Sequence, residues 1–532
     1  MIDREKILNW LFYFAIVAFL VLPFFIPFFY QSPDDNYFCL ITSGAYTGEP
    51  SPFTTFQGYY YSSFISWLYT LTDKVEWYFV VNHILLICCY CVLILKLLKS
   101  KASLAIKTSL FIFSTVIQLF VIVLPQWTIL AAELGLASFI LFIDGSHIKS
   151  FLLAFLLFWI GCEIRFYACV LPWVLLSPFF LFLWNKGKVL FFAKTFFALL
   201  FLSAGYFWNS YTKSVYSQND EWKAFSQYNR NRGYFQDNKG RSDIASMIYD
   251  STERTAYYLT ITALQYDDNI TSKEDLAQYG QWVRGNAFNS IKSNFPTYLS
   301  MYNRYGGILL IILALVLFIY FFKRKDFLSL FILTSVLLLF VFANLYLMNS
   351  SGAKLRTVIS VYMSFSLSLL YLYVKNVKTV KSYTILFTSV FIILSVVFSY
   401  RFYEYYKVRL NRQESLAELE SLLQQVPDQK VFGGIGTITA DYIPAQRCHI
   451  SPAGKKILRT GWMNMTPHTK KHYKGYVSFA EGLKVLVSKT DPGSYYLNSS
   501  QKVIRDFYHV NTEVKTLYET EHFKIVEFEK VD

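Results

Sequence analysis

Two adjacent carboxylates, Asp34 and Asp35, follow the first long apolar run of the chain, within the stretch Pro33–Tyr37. Neighbouring carboxylates repel each other and contribute nothing to packing. One interpretation is a solvated acidic pair at a helix end. The other is a general base, with the second carboxylate orienting it or holding a metal ion. The pair by itself leaves both interpretations open.

Three basic residues, Arg165, Lys354 and Arg356, lie in or close to long apolar stretches. Charge is costly near a membrane, and there it indicates function or a bound partner by default. The planar guanidinium of arginine suits phosphate, to which it can donate two parallel hydrogen bonds. We therefore expect a phosphate site, with snorkelling as the alternative for each residue. For Arg165, an ion pair with Glu163 or Glu133 is a further alternative.

The composition indicates which elements must position these residues. The 532 residues are 54% hydrophobic and 16% charged, whereas a soluble domain is about 25% charged. This excludes an ordinary soluble globule, and the many aromatic and aliphatic residues exclude intrinsic disorder. The net charge of +14 flanks apolar runs rather than forming a nucleic-acid surface. We predict a polytopic membrane protein, mainly α-helical, with no nucleic-acid partner.

About eleven apolar stretches can cross a bilayer, which takes roughly 20 residues each. We place them at 8–29, 77–98, 102–124, 126–143, 150–165, 167–184, 189–208, 306–322, 327–348, 355–374 and 382–402. The stretch from Ser150 to Trp184 is too long for one span and barely long enough for two. We divide it at Arg165, because this division keeps the short basic loops on one side of the membrane.

Lysine and arginine cluster in the short loops between these spans. The clusters are Arg4 and Lys6; Lys96, Lys99 and Lys101; Lys149, Lys186 and Lys188; Lys323, Arg324 and Lys325; and Lys375, Lys378 and Lys381. Such clusters stay in the cytoplasm, so the N-terminus is predicted to be cytoplasmic in a multi-pass protein of the cell membrane. The long segments 30–76, 209–305 and 403–532 are then extracytoplasmic.

Further elements are predicted on the outer side. Tyr and Trp favour the membrane interface, so the aromatic stretch Gly58–Tyr69 is expected to form a helix lying on the outer surface. The tail opens with a helix that carries four leucines on one face, at positions 416, 419, 422 and 423. Strand-like runs at 430–432, 485–487, 495–497 and 523–528 then alternate with helical patterns at 478–484 and 500–508.

The predicted organisation therefore has two parts. Residues 1–403 form a transmembrane domain with outer loops 30–76 and 209–305, and residues 404–532 form a small extracytoplasmic α/β domain. Of the seven cysteines, Cys39 and Cys448 lie in outer segments and the others lie in or near spans. These two residues could form a disulfide with each other or remain free thiols, and the sequence leaves both alternatives open.

The residues that follow the acidic pair carry a resemblance to a known family. They are Ser43-Gly44, Tyr46-Thr47-Gly48-Glu49-Pro50, Phe56-Gln57-Gly58, Leu68-Tyr69 and Trp77-Tyr78. With the pair, they resemble the GT-C superfamily of polytopic glycosyltransferases, in particular bacterial members found with surface-polysaccharide genes. Shorter matches are Asn229, Arg232 and Asp237, then Asp267-Asp268 with Trp282, and Gly461-Trp462. Two stretches depart from the family pattern, at Asn36 and at Ser51-Pro52-Phe53.

The resemblance implies a membrane glycosyltransferase that takes a sugar from a polyprenyl-phosphate donor. It would pass the sugar, with inversion, to a cell-surface glycan or lipid-linked acceptor on the outer face. Asp34 is then the general base, because the family usually places the base first, and Asp35 is its orienting or metal-holding partner. Residues assigned to the donor phosphate are Arg165, Lys354, Arg356 and Arg232, and residues assigned to the acceptor are Tyr37, Tyr46, Asp237 and Asp268. No cofactor is assigned with certainty, and a divalent metal ion is left open.

Two other functions are weighed against this one. A polysaccharide polymerase or ligase of related topology would use lipid-diphosphate-linked units. A transporter or a non-enzymatic assembly component is the second alternative. Transporters typically show broken helices near the midplane, in repeated halves, whereas the spans here are mostly unbroken runs of Leu, Phe and Ile. The pattern favours an enzyme.

The predicted topology is testable with single introduced cysteines and a membrane-impermeant maleimide. In intact cells we expect labelling at Asn229→Cys and Asn464→Cys. Lys188→Cys and Lys325→Cys should react after permeabilisation alone, and the unaltered chain gives the background from native thiols. Labelling of Lys188→Cys in intact cells, with Asn229→Cys protected, would reverse the orientation.

Overall fold

The structure is a computed structural model. It describes residues 4–145, 147–236, 287–350, 354–376 and 381–426 of the chain. In the tail it describes residues 431–433, 443–451, 456–458, 466–468, 484–489, 498, 501, 505 and 509–531. Within these residues the chain is mainly α-helical, with one sheet near its carboxyl end.

Sixteen helices of the described residues are labelled in chain order. They are α1 (Arg4–Val21), α2 (Pro33–Thr42), α3 (Tyr59–Leu71), α4 (Trp77–Leu98), α5 (Leu104–Val123), α6 (Trp127–Asp144), α7 (Ile148–Leu176), α8 (Leu181–Trp184), α9 (Lys188–Ser217), α10 (Asp220–Gln236), α11 (Ala287–Arg304), α12 (Gly307–Lys323), α13 (Phe327–Ser350), α14 (Leu355–Asn376), α15 (Lys381–Glu414) and α16 (Leu416–Gln425). The strands are β1 (Val431–Gly433), β2 (Ile457–Leu458), β3 (Lys484–Ser488), β4 (Thr512–Glu519) and β5 (Phe523–Lys530).

The chain is a multi-pass membrane protein. Nine helical stretches of the described part are long and apolar enough to cross a membrane, with mean hydropathies of 1.6 to 2.4. A bent pair, Asn294–Arg304 and Gly307–Lys323, adds a tenth, and its two arms differ in direction by 81°. Gly306 joins these arms with a φ of 73°, a left-handed conformation that glycine adopts without strain.

The stretch Ile148–Trp184 is 37 residues long and reverses direction at Arg165. The Arg165 backbone leaves the helical region there, with φ −162° and ψ 100°. The rings of Phe158 and Trp173 then lie 5.3 Å apart, whereas a continuous helix would separate these residues by roughly 22 Å. The predicted division at Arg165 is confirmed, and counting its two arms separately gives eleven crossings in the described residues.

The first span ends earlier than predicted. It covers Glu5–Phe24 rather than 8–29, because Pro23 and Pro27 lack the N–H that would continue a helix. Phe28, Phe29 and Tyr30 are instead fully buried in the protein. The apolar character of residues 28–30 thus reflects packing within the protein and not contact with lipid, whereas Phe25 is 77% exposed.

Helix α3 presents two different faces. Tyr61, Ile65 and Tyr69 are buried, whereas the opposite side exposes Tyr60, Phe64, Trp67 and Leu71. The exposed residues recur at intervals of three and four, which makes a continuous apolar stripe. The predicted helix is confirmed, and its stripe is of the kind that lies on a membrane surface.

The tail holds a mixed five-stranded sheet in the order β2-β1-β3-β5-β4. Strand β1 pairs parallel with β2 and β3, and β5 pairs antiparallel with β3 and β4. The four leucines predicted on one helix face are all buried in α16, in one hydrophobic cluster with Phe523 and Ile525. The predicted α/β character of the tail is confirmed.

Two details of the predicted tail need separate mention. The predicted boundary at 403/404 falls inside α15, a continuous helix of 34 residues. The predicted strand 495–497, residues 478–483 of the predicted helical pattern and most of 500–508 lie outside the described residues. Lys484, the last residue of that pattern, begins β3 instead.

A tail segment, 443–451, is bound to the chain that follows the first span. The Ala445 N–H donates to the carbonyl of Phe28 at 2.6 Å, and the Phe28 N–H donates to Gln446 Oε1 at 2.9 Å. The Gln446 amide donates to the carbonyl of Ile26 at 3.0 Å. These bonds satisfy backbone groups that burial would otherwise leave unpaired, and they bring the tail close to α2.

Candidate active site

The acidic pair lies in the first turn of α2. Ser32 is the N-cap, and its Oγ accepts the Asp34 N–H at 3.3 Å. Pro33 follows at the first helical position, where a missing N–H removes no helical hydrogen bond. Acidic residues in this turn face the positive end of the helix dipole. The sequence Ser-Pro-Asp-Asp therefore folds as a helix start and fixes both carboxylates.

Asp35 is buried, with 1% of its surface exposed. Its Oδ1 accepts the Tyr78 hydroxyl at 3.0 Å and the Trp127 N–H at 3.1 Å, while its Oδ2 is buried and has no partner among the described residues. Burial raises the pKa of Asp35 well above its usual value, and the charge of Asp34 adds to the rise. The two hydrogen bonds and the charge of Arg356 oppose it.

Asp34 is the accessible member of the pair. Its Oδ2 forms an ion pair with Arg356 Nη1 at 3.2 Å, and 18% of each side chain is exposed. The same oxygen accepts the Ser32 hydroxyl at 3.2 Å, and Arg356 Nη1 also donates to Ser32 Oγ at 3.0 Å. Arg356 Nε is buried without a partner among the described residues. The guanidinium therefore keeps a free donor next to an accessible carboxylate.

Arg165 reaches the same site from the other side of Trp127. Its guanidinium lies over the indole at 4.3 Å from the ring centroid, and Nη1 donates to Thr128 Oγ1 at 2.7 Å. The backbone N–H of Trp127 is the group that binds Asp35. An unbroken series of contacts thus joins Arg356, Asp34, Asp35, Trp127 and Arg165.

Three membrane helices begin at this site. Tyr78 is the second residue of α4, Trp127 the first of α6 and Arg356 the second of α14. The three helices therefore leave the site in the same direction. Their places in the eleven-crossing order are second, fourth and tenth, and all even-numbered crossings run in one direction. The site geometry agrees with the predicted order of spans.

Glu163 holds α3 against this region. Its Oε2 accepts the Tyr61 N–H at 2.9 Å, its Oε1 accepts the Trp208 indole N–H, and its carbonyl accepts the Gly58 N–H at 2.5 Å. A Cβ at Gly58 would meet Glu163 Oε2 at 2.3 Å, so only glycine fits there. Glu163 thus caps the start of α3, and Gln57, just before it, donates to the Tyr78 hydroxyl at 3.0 Å.

The structure places the other predicted site residues as follows. Lys354 directly precedes α14, and its carbonyl accepts the Thr357 N–H at 3.1 Å. Tyr37 and Tyr46 are buried, with 8% and 2% exposed. The side chain of Arg232, and Asp237 and Asp268 entirely, lie outside the described residues. The structure brings together Asp34, Asp35, Arg165 and Arg356, and the roles of all these residues stay predictions.

Sequence reasoning did not assign Ser32, Gln57, Tyr78, Trp127 or Thr128 to the site. Ser32-Pro33 before an acidic pair is a recognisable helix start, so that signal was present. Tyr78 and Trp127 are aromatic residues at the ends of apolar runs, where interface anchoring already explains them. Trp127 also contributes a backbone N–H, which no residue type can signal.

The described residues contain no group of three or more His, Cys, Asp or Glu side chains that could hold a metal ion. The metal-holding role considered for Asp35 therefore has no visible ligand set in this part of the chain.

No family model and no curated protein matches the chain. Two crystal structures of ArnT from Cupriavidus metallidurans are similar to it in fold. The structure bound to undecaprenyl phosphate is 9% identical, with a TM-score of 0.40 and 97% of each chain covered. The apo structure is 10% identical, with the same TM-score and 98% of each chain covered.

Asp35→Asn should change how stability depends on pH. The pKa of the buried carboxyl is raised on folding, so its contribution to stability is fully present below its ordinary pKa of 3.8. That contribution is lost as pH rises through the raised, folded-state pKa. Asparagine keeps an acceptor oxygen for Tyr78 and Trp127 but carries no charge. The melting temperature of Asp35→Asn minus that of the wild type should therefore grow as pH rises above about 4.

The measurement is thermal unfolding in detergent over a series of pH values. Asp220→Asn, at an exposed aspartate that begins α10, is the matched control, and its difference should vary much less. A flat or shrinking difference for Asp35→Asn would contradict a cost for the buried charge.

Proposed function

We propose that the protein is a GT-C-type membrane glycosyltransferase. It moves a sugar from a polyprenyl-phosphate donor to a hydroxyl of a cell-surface glycan or lipid-linked acceptor, on the extracytoplasmic face. The observation that carries the proposal is the ion pair of Asp34 and Arg356 beside the buried Asp35. A carboxylate next to a guanidinium can accept a hydroxyl proton while a departing phosphate is stabilised.

The position of the site along α4 supports this substrate class. The helix begins at Trp77, next to the Tyr78 that binds Asp35, and runs 22 residues to Leu98. That length is about 33 Å, which matches a hydrocarbon core of about 30 Å. The Lys96, Lys99 and Lys101 cluster lies at the far end of the helix. Because such clusters stay in the cytoplasm, the acidic pair belongs at the outer surface, where the phosphate of a lipid-linked sugar lies.

The reaction needs a base because an acceptor hydroxyl is a weak nucleophile. Asp34 takes the hydroxyl proton as the hydroxyl oxygen bonds to the anomeric carbon of the donor. The bond between that carbon and the phosphate oxygen breaks at the same time, and the electron pair leaves with polyprenyl phosphate. One direct displacement inverts the configuration of the sugar, so no covalent bond to an aspartate is required.

The ion pair of Asp34 with Arg356 affects this proton transfer. A carboxylate held by Arg356 is a poor base while the pair persists, because the pair stabilises its ionised form. The donor phosphate offers the guanidinium a second anion, and Arg356 Nε, buried without a partner among the described residues, is a donor for it. Donor binding would draw Arg356 toward phosphate and free Asp34 to accept a proton.

The two arginines would act on the leaving group. Charge accumulates on the phosphate as the glycosidic bond breaks, and donors fixed in advance stabilise that charge more than they stabilise the ground state. Arg165 is held in place by the Trp127 ring and by Thr128. Lys354 and Arg232 are further candidates for the phosphate, and Tyr37, Tyr46, Asp237 and Asp268 are those for the acceptor.

Asp35 has a different role in this proposal. It is buried and bound on Oδ1 by two donors, so an acceptor sugar does not reach it. It is a positioning residue that fixes the start of α2 against Trp127 and Tyr78. Asp34, one residue earlier and accessible, is then placed to meet the acceptor.

Asp34→Asn should abolish most of the transfer. Asparagine keeps the volume and an acceptor oxygen but not the basicity, so the rate should fall by ~10²–10⁴-fold. The measurement is sugar transfer by purified protein from a prenyl-phosphate donor, beside a thermal-unfolding check. A wild-type rate for Asp34→Asn with an inactive Asp35→Asn would exchange the two roles. Normal rates for both variants and for the double variant would refute the mechanism.

Arg356→Ala and Arg165→Ala should each reduce transfer by on the order of 10²–10³-fold, as expected when one preorganised donor to a developing charge is removed. The Arg→Lys variants keep the charge but lose the planar fork, so they should recover only part of the rate. Arg401→Ala is the control, because Arg401 pairs with Glu404 away from the acidic pair. Near-normal transfer by both alanine variants, at normal protein levels, would contradict the proposal that Arg165 and Arg356 stabilise the leaving phosphate.

A further inference from the structure

Cys39 and Cys448 come from opposite ends of the chain and meet beside the acidic pair. Both side chains are fully buried, with 0% exposed, and Cys448 is near enough to Cys39 to contribute to the raised pKa of its thiol. Cys39 lies in α2, one turn after Asp35. Cys448 lies in the tail segment 443–451, which is bound to the chain after the first span. Both are free thiols in this structure.

The hydrogen bonds of the two sulfur atoms show how Cys448 packs against the helix that carries Cys39. Cys448 Sγ donates to Asn36 Oδ1 at 3.0 Å and lies 3.8 Å from the carbonyl oxygen of Asn36. Asn36 and Cys39 are three residues apart in α2, so they share one face of the helix. Cys39 Sγ donates to Glu76 Oε1 at 2.8 Å. Cys448 therefore packs over the helical turn that carries Cys39.

We propose that Cys39 and Cys448 form a disulfide in the mature protein, which staples the tail to the helix of the acidic pair. Formation removes two protons and two electrons from the two thiols. An external disulfide, such as that of a thiol-disulfide oxidoreductase or oxidised glutathione, accepts them and becomes two thiols. A mixed disulfide forms with one cysteine first, and the other cysteine displaces the carrier. The inference rests on the outer placement of α2 in the proposed function, and not on the reaction.

Disulfide formation would remove a thiol donor from Asn36 Oδ1 and from Glu76 Oε1. Glu76 would lose the Cys39 thiol as a donor, but it keeps the Tyr69 hydroxyl on Oε1. Its Oε2 keeps the His449 N–H at 3.0 Å and the His449 ring. The buried carboxylate therefore remains hydrogen-bonded, and Cys448 is anchored through its neighbour His449.

Burial also determines when the bond can form. Burial raises the pKa of the Cys39 thiol well above its usual value, and the thiol rather than the reactive thiolate persists in the folded protein. Exchange must therefore precede packing of the tail on α2, during biogenesis. Once formed and covered, the disulfide should resist mild reductant until the protein is unfolded.

The experiment counts reactive thiols. Cells that express the full chain are treated with N-ethylmaleimide before lysis, and the purified protein is alkylated again in denaturant, with and without reduction. The chain has seven cysteines, so we expect five to be alkylated without reduction and all seven after it. Peptide mass spectrometry should show a Cys39–Cys448 linkage in the unreduced sample.

Matched variants make the outcome specific. Cys448→Ser should leave Cys39 as an additional reactive thiol, so that all six remaining cysteines react without reduction. Cys88→Ser, at an exposed thiol in α4, should keep the linkage and lower both counts by one. Wild-type protein with seven reactive thiols before reduction would overturn the proposal, as would a linkage to another cysteine.

The disulfide proposal and the proposed sugar transfer can be tested separately. Asp34→Asn should carry the Cys39–Cys448 linkage in full while transferring no sugar. If active wild-type enzyme has no Cys39–Cys448 linkage, the disulfide proposal is wrong and the proposed glycosyltransferase function still stands. In mild reductant without denaturant, the wild-type melting temperature should stay unchanged, whereas Cys39→Ser with Cys448→Ser should melt lower.

Discussion

The buried carboxylate of Asp35 joins three helices, α2, α4 and α6. Its backbone belongs to α2, and its Oδ1 accepts a hydroxyl from α4 and a backbone N–H from α6. A polar group without access to water must be hydrogen-bonded or it costs several kcal/mol, on the order of 2–7. Helix α2 therefore cannot slide or rotate without leaving that oxygen, Tyr78 and Trp127 unpaired. The ion pair of Asp34 with Arg356 depends on this fixed helix start.

Glu76 does for the tail what Asp35 does for the membrane helices. It gathers Cys39 of α2, Tyr69 of α3 and His449 of the tail segment around one buried carboxylate. Asp35 and Cys39 are four residues apart and so lie on one face of α2. That face meets the donors Tyr78 and Trp127 at Asp35 and the acceptor Glu76 one turn later at Cys39. The tail thus packs on α2, the short helix that presents the acidic pair. A change in how the tail packs on α2 would therefore shift Asp34.

The sequence predicted the features that leave a local signal. The reversal at Arg165, the aromatic helix α3 and the leucine face of α16 are visible as charge or periodicity. Asp34, Asp35, Arg165 and Arg356 stood out because charge beside apolar runs needs a reason. The early end of the first span could not be seen, since Phe28, Phe29 and Tyr30 are equally apolar whether lipid or protein covers them. Trp127 was missed because it binds Asp35 through its backbone, and that pairing is set by tertiary packing alone.

The different surroundings of the two carboxylates of the acidic pair follow from helix geometry. Consecutive residues of an α-helix point about 100° apart, so two neighbouring carboxylates in one turn cannot share an environment. The N-cap at Ser32 sets the phase of α2, and this phase turns Asp35 inward to α4 and α6 and leaves Asp34 beside Arg356. One carboxylate is thereby held in the interior by Tyr78 and Trp127, and its neighbour keeps 18% of its side chain exposed beside Arg356.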